Sequence, residues 1–189
     1  MRPVHAIVLA GGRSSRLGGR DKLLVRVGGQ ALLTRVVSAV TDGVDGVVVV
    51  GPPRDVPLPR TVRWVREDPP FGGPADAVAT GLAALEPRRD DEVLILAGDL
   101  VRPDLVVDAL RSGEGNRVGV DPSGHRQWAC SCVRAGDLAA VIRGVGTAGS
   151  PLKALMGPLE PVEVPLSEAA CADLDTPDDV KEYADEQPR

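Results

Sequence analysis

The chain is poor in aromatic residues and cysteine, has no excess of positive charge, and contains no long apolar run. Phenylalanine, tyrosine and tryptophan together make up 2% of the 189 residues. The core must therefore be built from Val, Leu, Ala and Ile. The formal net charge is −5, which argues against a general nucleic-acid binder, because such a protein needs a cationic surface to neutralise phosphates. A small local cationic pocket remains compatible with that charge. The three cysteines, Cys130, Cys132 and Cys171, are odd in number and none shows C-x2-C spacing, so they read as reduced, packed thiols of a cytoplasmic protein. No apolar run approaches the ~20 residues that span a bilayer. The apolar stretch over 6–10 gives way at once to glycines and arginines and is too short for a secretory signal. These features predict a cytoplasmic protein with no membrane partner.

What the sequence does have is alternation. Continuous apolar runs at 6–9, 47–50 and 93–97, with a weaker one at 62–65, read as strands covered on both faces. Helix-type spacing fills 31–40, 75–85 and 103–110, the last two preceded or opened by proline. Strands interleaved with helices imply a mainly parallel, doubly wound (Rossmann-like) α/β sheet. The second half is less regular. Residues 117–120 and 128–133 read as a hairpin about Pro122-Ser123-Gly124, and 162–164 as a late strand. Asp104 is the candidate cap of the helix near 103, and Thr176-Pro177 has the form of a helix start. Four prolines within 51–59 predict an exposed loop. The length fits one domain: a nucleotide-binding half over 1–100, an acceptor-binding half over 101–183, and a frayed tail over 184–189.

The most informative stretch follows the first strand: Leu9-Ala10-Gly11-Gly12-Arg13-Ser14-Ser15-Arg16-Leu17-Gly18-Gly19-Arg20-Asp21-Lys22. Its glycines allow close backbone approach to a ligand. Successive N–H groups in such a loop form a concavity for an anion. Arg13, Arg16, Arg20 and Lys22 place four cations there in an otherwise acidic chain. A polyphosphate is the natural guest. The loop is neither G-x4-G-K-[ST] nor G-x-G-x-x-G.

This stretch resembles the signature of the nucleotidyltransferases related to molybdenum cofactor guanylyltransferase, and later segments follow in the family's order. The resemblance implies the nucleotide-diphospho-sugar transferase-like fold with a small β-hairpin extension. It also implies Mg²⁺-dependent transfer of GMP from GTP to the phosphate of molybdopterin, with release of pyrophosphate. Leu9, Ala10, Gly11, Gly12, Arg13 and Ser14 would lie along the nucleotide. Lys22 would neutralise the phosphate under attack, and Arg16 would hold the outer phosphates. Asp68, Gly73 and Pro74 match the segment that contacts the base. Asp99, at the end of the strongest strand, matches the metal-binding aspartate. Asp173 and Asp175 match the closing motif, one of them, Asp175 ahead of Asp173, facing the site as a second metal or water ligand. Arg126 and Gln127 match the acceptor-facing hairpin. The implied assembly is a monomer or weak homo-oligomer.

Three positions depart from the family's pattern. Gly51 stands where the guanylyltransferases can present an asparagine. The stretch 146–150 lacks paired arginines on the acceptor side. Asp76 follows Gly-Pro-Ala, where it could alter base contacts. The alternatives are a cytidylyl- or sugar-phosphate nucleotidylyltransferase with the same chemistry, and a non-catalytic nucleotide-binding module.

Overall fold

The computed structural model describes residues 2–11 and 21–172. In chain order the elements are β1 (Val4–Leu9), a 3-10 turn (Lys22–Leu24), β2 (Arg26–Val27), β3 (Gln30–Ala31), α1 (Leu32–Thr41), β4 (Gly46–Val50), β5 (Arg63–Val65) and α2 (Pro74–Leu85). They continue with β6 (Glu92–Ala97), α3 (Pro103–Arg111), β7 (Arg117–Val120), β8 (Arg126–Arg134), α4 (Ala135–Val145), α5 (Leu152–Met156), a second 3-10 turn (Gly157–Leu159) and β9 (Val162–Pro165).

Seven strands form one sheet in the order β5-β4-β1-β6-β8-β7-β9. β5, β4, β1 and β6 run parallel to one another, β8 is antiparallel to both β6 and β7, and β9 is parallel to β7. The strand alternation sorts the apolar residues into two layers. Ala6, Val8, Val47, Val49, Leu94 and Leu96 face α1 and α3. Ile7, Val48, Val50, Val93 and Ile95 face α2, α4 and α5. Both faces are thus covered, which explains the unbroken apolar strands. The chain runs from β1 outward to β4 and β5, then returns to place β6 on the other side of β1. That reversal makes the carboxyl ends of β1, β4 and β6 the crevice where ligands of open α/β sheets bind.

The expected strands and helices are present, with ends shifted by a residue or two. Four elements lacked a sequence signal: α4, α5 and the β2–β3 pair. α4 begins directly after β8 with no breaker between them, so the change from strand to helix is invisible as punctuation. Two local expectations are corrected. Asp104 does not cap α3: the cap position is Arg102, and Asp104 sits in the first turn, held by the Arg102 guanidinium at 2.7 and 3.1 Å. That contact, above all, draws the Asp104 carboxyl below its ordinary range. The proline-rich loop after β4 is not simply exposed. Val56 and Leu58 pack against the α1 layer, and Thr34 Oγ1 donates to the Pro57 carbonyl. The helix start expected at Thr176 and the tail over 184–189 lie outside the described residues.

α2 lies close to the sheet because of Gly81. A Cβ there would stand 2.7 Å from Ile7 Cγ2 and 3.1 Å from Val50 Cγ2, both on fully buried β-branched side chains. Alanine is the better helix former by about 1 kcal/mol, yet Gly81→Ala should still destabilise the fold, because overpacking costs roughly 1–3 kcal/mol. Thermal unfolding checks this: an unchanged or raised melting temperature would show that α2 stands off the sheet.

Candidate functional site

The site is assembled where β1, β4 and β6 end. Ala10 N–H donates to the Val50 carbonyl at 2.8 Å and Gly98 N–H to the Leu9 carbonyl at 3.0 Å, which locks the three strand ends together. Gly51 then passes directly over the β1 terminus. Its φ is 147°, and a Cβ there would stand 2.5 Å from the Ala10 carbonyl and 2.8 Å from Gly11 N. Those are backbone atoms that cannot swing aside, so no side chain fits at 51. The absence of asparagine at this position has a steric cause.

Arg54, from the loop after β4, ties the ends of the glycine-rich segment to each other. Its Nη1 donates to the Ala10 carbonyl at 2.6 Å and to the Pro52 carbonyl at 3.0 Å, while Nε donates to Asp21 Oδ2 at 2.5 Å. The Arg54 side chain is only 8% exposed. Asp21 uses its other oxygen to accept from Leu23 N–H and so caps the 3-10 turn that carries Lys22. Leu23, buried among Ala10 and Leu33, anchors the same turn in the core. With its base fixed by these contacts, Lys22 extends to Asp99, whose Oδ2 lies 3.4 Å from Nζ. The two residues singled out from distant parts of the sequence therefore share one location. Asp99 stays partly exposed, 36% for its side chain, and remains accessible to a ligand.

Beside this pair opens a cleft of about 360 Å³, lined by Leu9, Gly11, Pro52, Arg66, Glu67, Phe71, Gly73, Pro74 and Ala77. Leu9, Gly11, Gly73 and Pro74 meet there as expected. Asp68 does not: it is exposed and lines no part of the cleft, whereas its neighbour Glu67 is buried and does. The Glu67 carboxylate makes no hydrogen bond or ion pair with any described residue. Asp76 is also absent from the cleft wall. It accepts from Thr147 Oγ1 at 2.8 Å, and with the Gly149 N–H bond to the Gly72 carbonyl it fastens the loop before α5 to the start of α2.

A smaller cavity of about 130 Å³ is lined by Asp99 together with Ala97, Gln127, Ala129, Cys130 and Cys171 among others. β8 forms one wall of it. Between the pairings of Val118 with Ser131 and of Gly119 with Gln127, β8 bulges away from β7. Gln127 reaches this cavity, and its Nε2 donates to Asp121 Oδ2 at 2.8 Å. The Asp121 carboxyl is held down at about 2, first by the Ser123 hydroxyl, then by the His125 N–H and Gln127. Arg126 is directed elsewhere. It pairs with Glu163 at 2.8 Å and lies over the Trp128 ring, outside the cavity. Cys130 and Cys132 are buried, as their alternation on a strand suggested. Burial pushes the Cys130 thiol up to about 12 and Cys132 to about 11.

Gly12, Arg13, Ser14, Arg16, Asp173 and Asp175 lie outside the described residues. Among the described residues no three His, Cys, Asp or Glu side chains gather as a metal cluster, and no helix is long and apolar enough to cross a membrane. Arg54 and Glu67 are the functional candidates that sequence reasoning missed. Arg54 stands in an aperiodic proline-rich loop and gave no signal. Glu67 was hidden by Asp68 beside it, and only the fold decides which of two adjacent carboxylates turns inward.

The family model described as the MobA-like NTP transferase domain matches residues 6–162. A molybdenum cofactor guanylyltransferase of Pseudomonas fluorescens is 35% identical over 109 residues, covering 56% of this chain and 52% of that protein. A bifunctional enzyme IspD/IspF of Anaeromyxobacter dehalogenans is 39% identical over 112 residues, covering 53% of this chain and 26% of that protein. The chain spans about half the length of the curated guanylyltransferases it matches. Among solved structures, the 2-C-methyl-D-erythritol 4-phosphate cytidylyltransferase of Francisella tularensis superposes with a TM-score of 0.69 at 15% identity, over 97% of this chain and 98% of that one.

Two outcomes follow from the geometry. Arg54→Ala releases the Ala10 carbonyl and Asp21 together, which should lower stability by about 1–3 kcal/mol. Arg54→Lys should recover only part of this, since an ammonium cannot serve both ends as a guanidinium fork does; urea unfolding measures both. Cys130 and Cys132 should resist a thiol reagent at pH 8 in the folded chain and react on denaturation. Rapid labelling of either in the native state would contradict their burial.

Proposed function

The chain belongs to the MobA-like NTP transferase family, and from that premise we propose that it transfers a nucleoside monophosphate, GMP from GTP, to the phosphate of molybdopterin. One observation carries this reading: the Lys22 ammonium and the Asp99 carboxylate come within 3.4 Å of each other at the strand ends where Leu9 lines the larger cleft and Asp99 the smaller cavity. A donor in the first and an acceptor in the second would meet at that pair.

The donor base is argued from Glu67. A carboxylate that lines a cleft and has no partner among the described residues gains from a ligand that donates to it. Guanine presents two adjacent donors, N1–H and the 2-amino group, which a carboxylate accepts together. Cytosine and adenine each present one amino donor beside a ring nitrogen that repels a carboxylate. Uracil presents one N–H between two carbonyls. Guanine is therefore the base that Glu67 suits best.

In the transfer, an oxygen of the acceptor phosphate attacks the α-phosphorus. The bond from that phosphorus to the bridging oxygen breaks, and pyrophosphate leaves. A phosphate monoester is largely ionised near neutral pH, so no general base is needed. Lys22 supplies fixed positive charge to the α-phosphate as negative charge develops. The backbone of Leu9, Ala10 and Gly11 orients the nucleotide, and Gly73 with Pro74 closes the base side. Arg16, with Gly12, Arg13 and Ser14, is assigned to the outer phosphates on the sequence motif. Gln127 is assigned to the acceptor; Arg126, committed to Glu163, is not.

The donor set at Asp99 suits Mg²⁺. It offers a hard carboxylate oxygen, the kind of ligand that hard divalent cations take. Mg²⁺ takes one or two carboxylates and fills its remaining positions with phosphate and water. Asp99 would hold it, with Asp175 as the second ligand assigned by motif, and the bound ion would neutralise phosphate charge.

A cytidylyl transfer is the second reading, favoured by the IspD/IspF relative. The four ribonucleoside triphosphates, each with and without molybdopterin and Mg²⁺, decide between them when product masses are read. The guanylylated product is expected from GTP. A product from CTP alone would reassign the donor. Asp99→Ala and Lys22→Ala should each lose at least ~100-fold in rate. Unchanged turnover in Asp99→Ala would remove the proposed centre.

A further inference from the structure

The larger cleft has one residue on its rim that the fold does not use. Phe71 is the only phenylalanine in the chain and is 69% exposed. It belongs to none of the three buried apolar clusters and packs against none of them. Its backbone φ is 69°, in the left-handed region that bulky side chains rarely occupy. Glycine or asparagine would hold that conformation more easily, so the ring stands there against local preference. The Arg66 guanidinium lies 5.6 Å from the ring centroid, and both side chains line the cleft with Leu9, Gly11 and Glu67.

We propose that Phe71 is a stacking platform for the base of the bound nucleotide, with Arg66 holding the ring in place. This inference rests on the nucleotide reading given above and adds the residue that supplies affinity for the base. The division of labour follows from the chemistry of a base. Its edge carries donors and acceptors, which Glu67 can discriminate. Its faces are flat and polarisable and need an aromatic surface or a guanidinium plane. A cation over one aromatic ring restricts that ring's motion at little cost, since it is solvent-exposed on the rim. Leu9 and Pro74, which also line the cleft, are apolar, so a flat ring entering it is desolvated there. Purines, with the larger π-surface, gain most.

The test is equilibrium binding of GTP with Mg²⁺ to the full chain, without acceptor, so that turnover does not enter. Phe71→Ala should weaken binding about ten-fold. Its melting temperature without nucleotide should be unchanged or raised, because an exposed ring at positive φ contributes nothing to the core. Phe71→Leu, which keeps apolar bulk and loses the π-face, should recover only a minor part. Phe71→Trp should bind at least as well as the native chain and show fluorescence quenching on addition of GTP. Native affinity in both Phe71→Ala and Phe71→Leu would overturn the proposal while leaving the nucleotide reading intact. So would a concentration-dependent loss of a dimer in Phe71→Ala with nucleotide binding unaltered, which would make the ring an interface between copies. If the native chain binds none of the four ribonucleoside triphosphates, the nucleotide reading fails and this inference falls with it.

Discussion

Lys22 and Asp99 meet because β1 and β6 are parallel neighbours. Each residue follows the carboxyl end of its strand, and two adjacent parallel strands deliver their ends to the same edge of the sheet. Everything else in the site is arranged around that delivery. Ala10 and Gly98 pin the strand ends in register, Leu23 seats the turn that bears the lysine, Leu9 lines the larger cleft and Asp99 the smaller cavity. An antiparallel β6 would carry its aspartate to the opposite edge of the sheet, away from the lysine.

The fold was legible where burial on both faces wrote continuous apolar strands, and where proline opened a helix. It was illegible where one element ran into the next without a breaker, as at Arg134 and Ala135, or where strands were too short to show a period, as in β2 and β3. The site was legible to the same degree and for a related reason. Residues tied to strand ends, such as Leu9 and Asp99, inherit their position from the sheet and can be placed once the strands are recognised. Side chains presented by irregular backbone inherit nothing. Arg54, Glu67 and Phe71 all come from such segments: Arg54 acquires its role from bonds to Ala10 and Asp21, and Glu67 and Phe71 from the cleft they line with Leu9 and Gly11. Asp76 shows the converse. Its position beside Gly-Pro-Ala suggested the base, yet its carboxylate is taken by Thr147.

The buried groups that could have suggested other chemistry are accounted for by packing. Cys132 lies within the network of Arg117 and Glu92 that fills the space between β6, β7 and β8. Cys130 borders the smaller cavity, but its thiol stays protonated at neutral pH, so it forms part of an apolar wall and is no nucleophile.

The crossing of Gly51 over the end of β1 has a wider meaning. Where two main chains touch, no side chain can be inserted, so at position 51 the crevice offers shape and no code. Much of the information about what occupies the crevice is then written on the irregular stretch between β5 and α2, which supplies Arg66, Glu67, Phe71 and Gly73 to its wall. A lineage that keeps this contact can change its guest by rewriting those few positions while the sheet beneath them stays as it is.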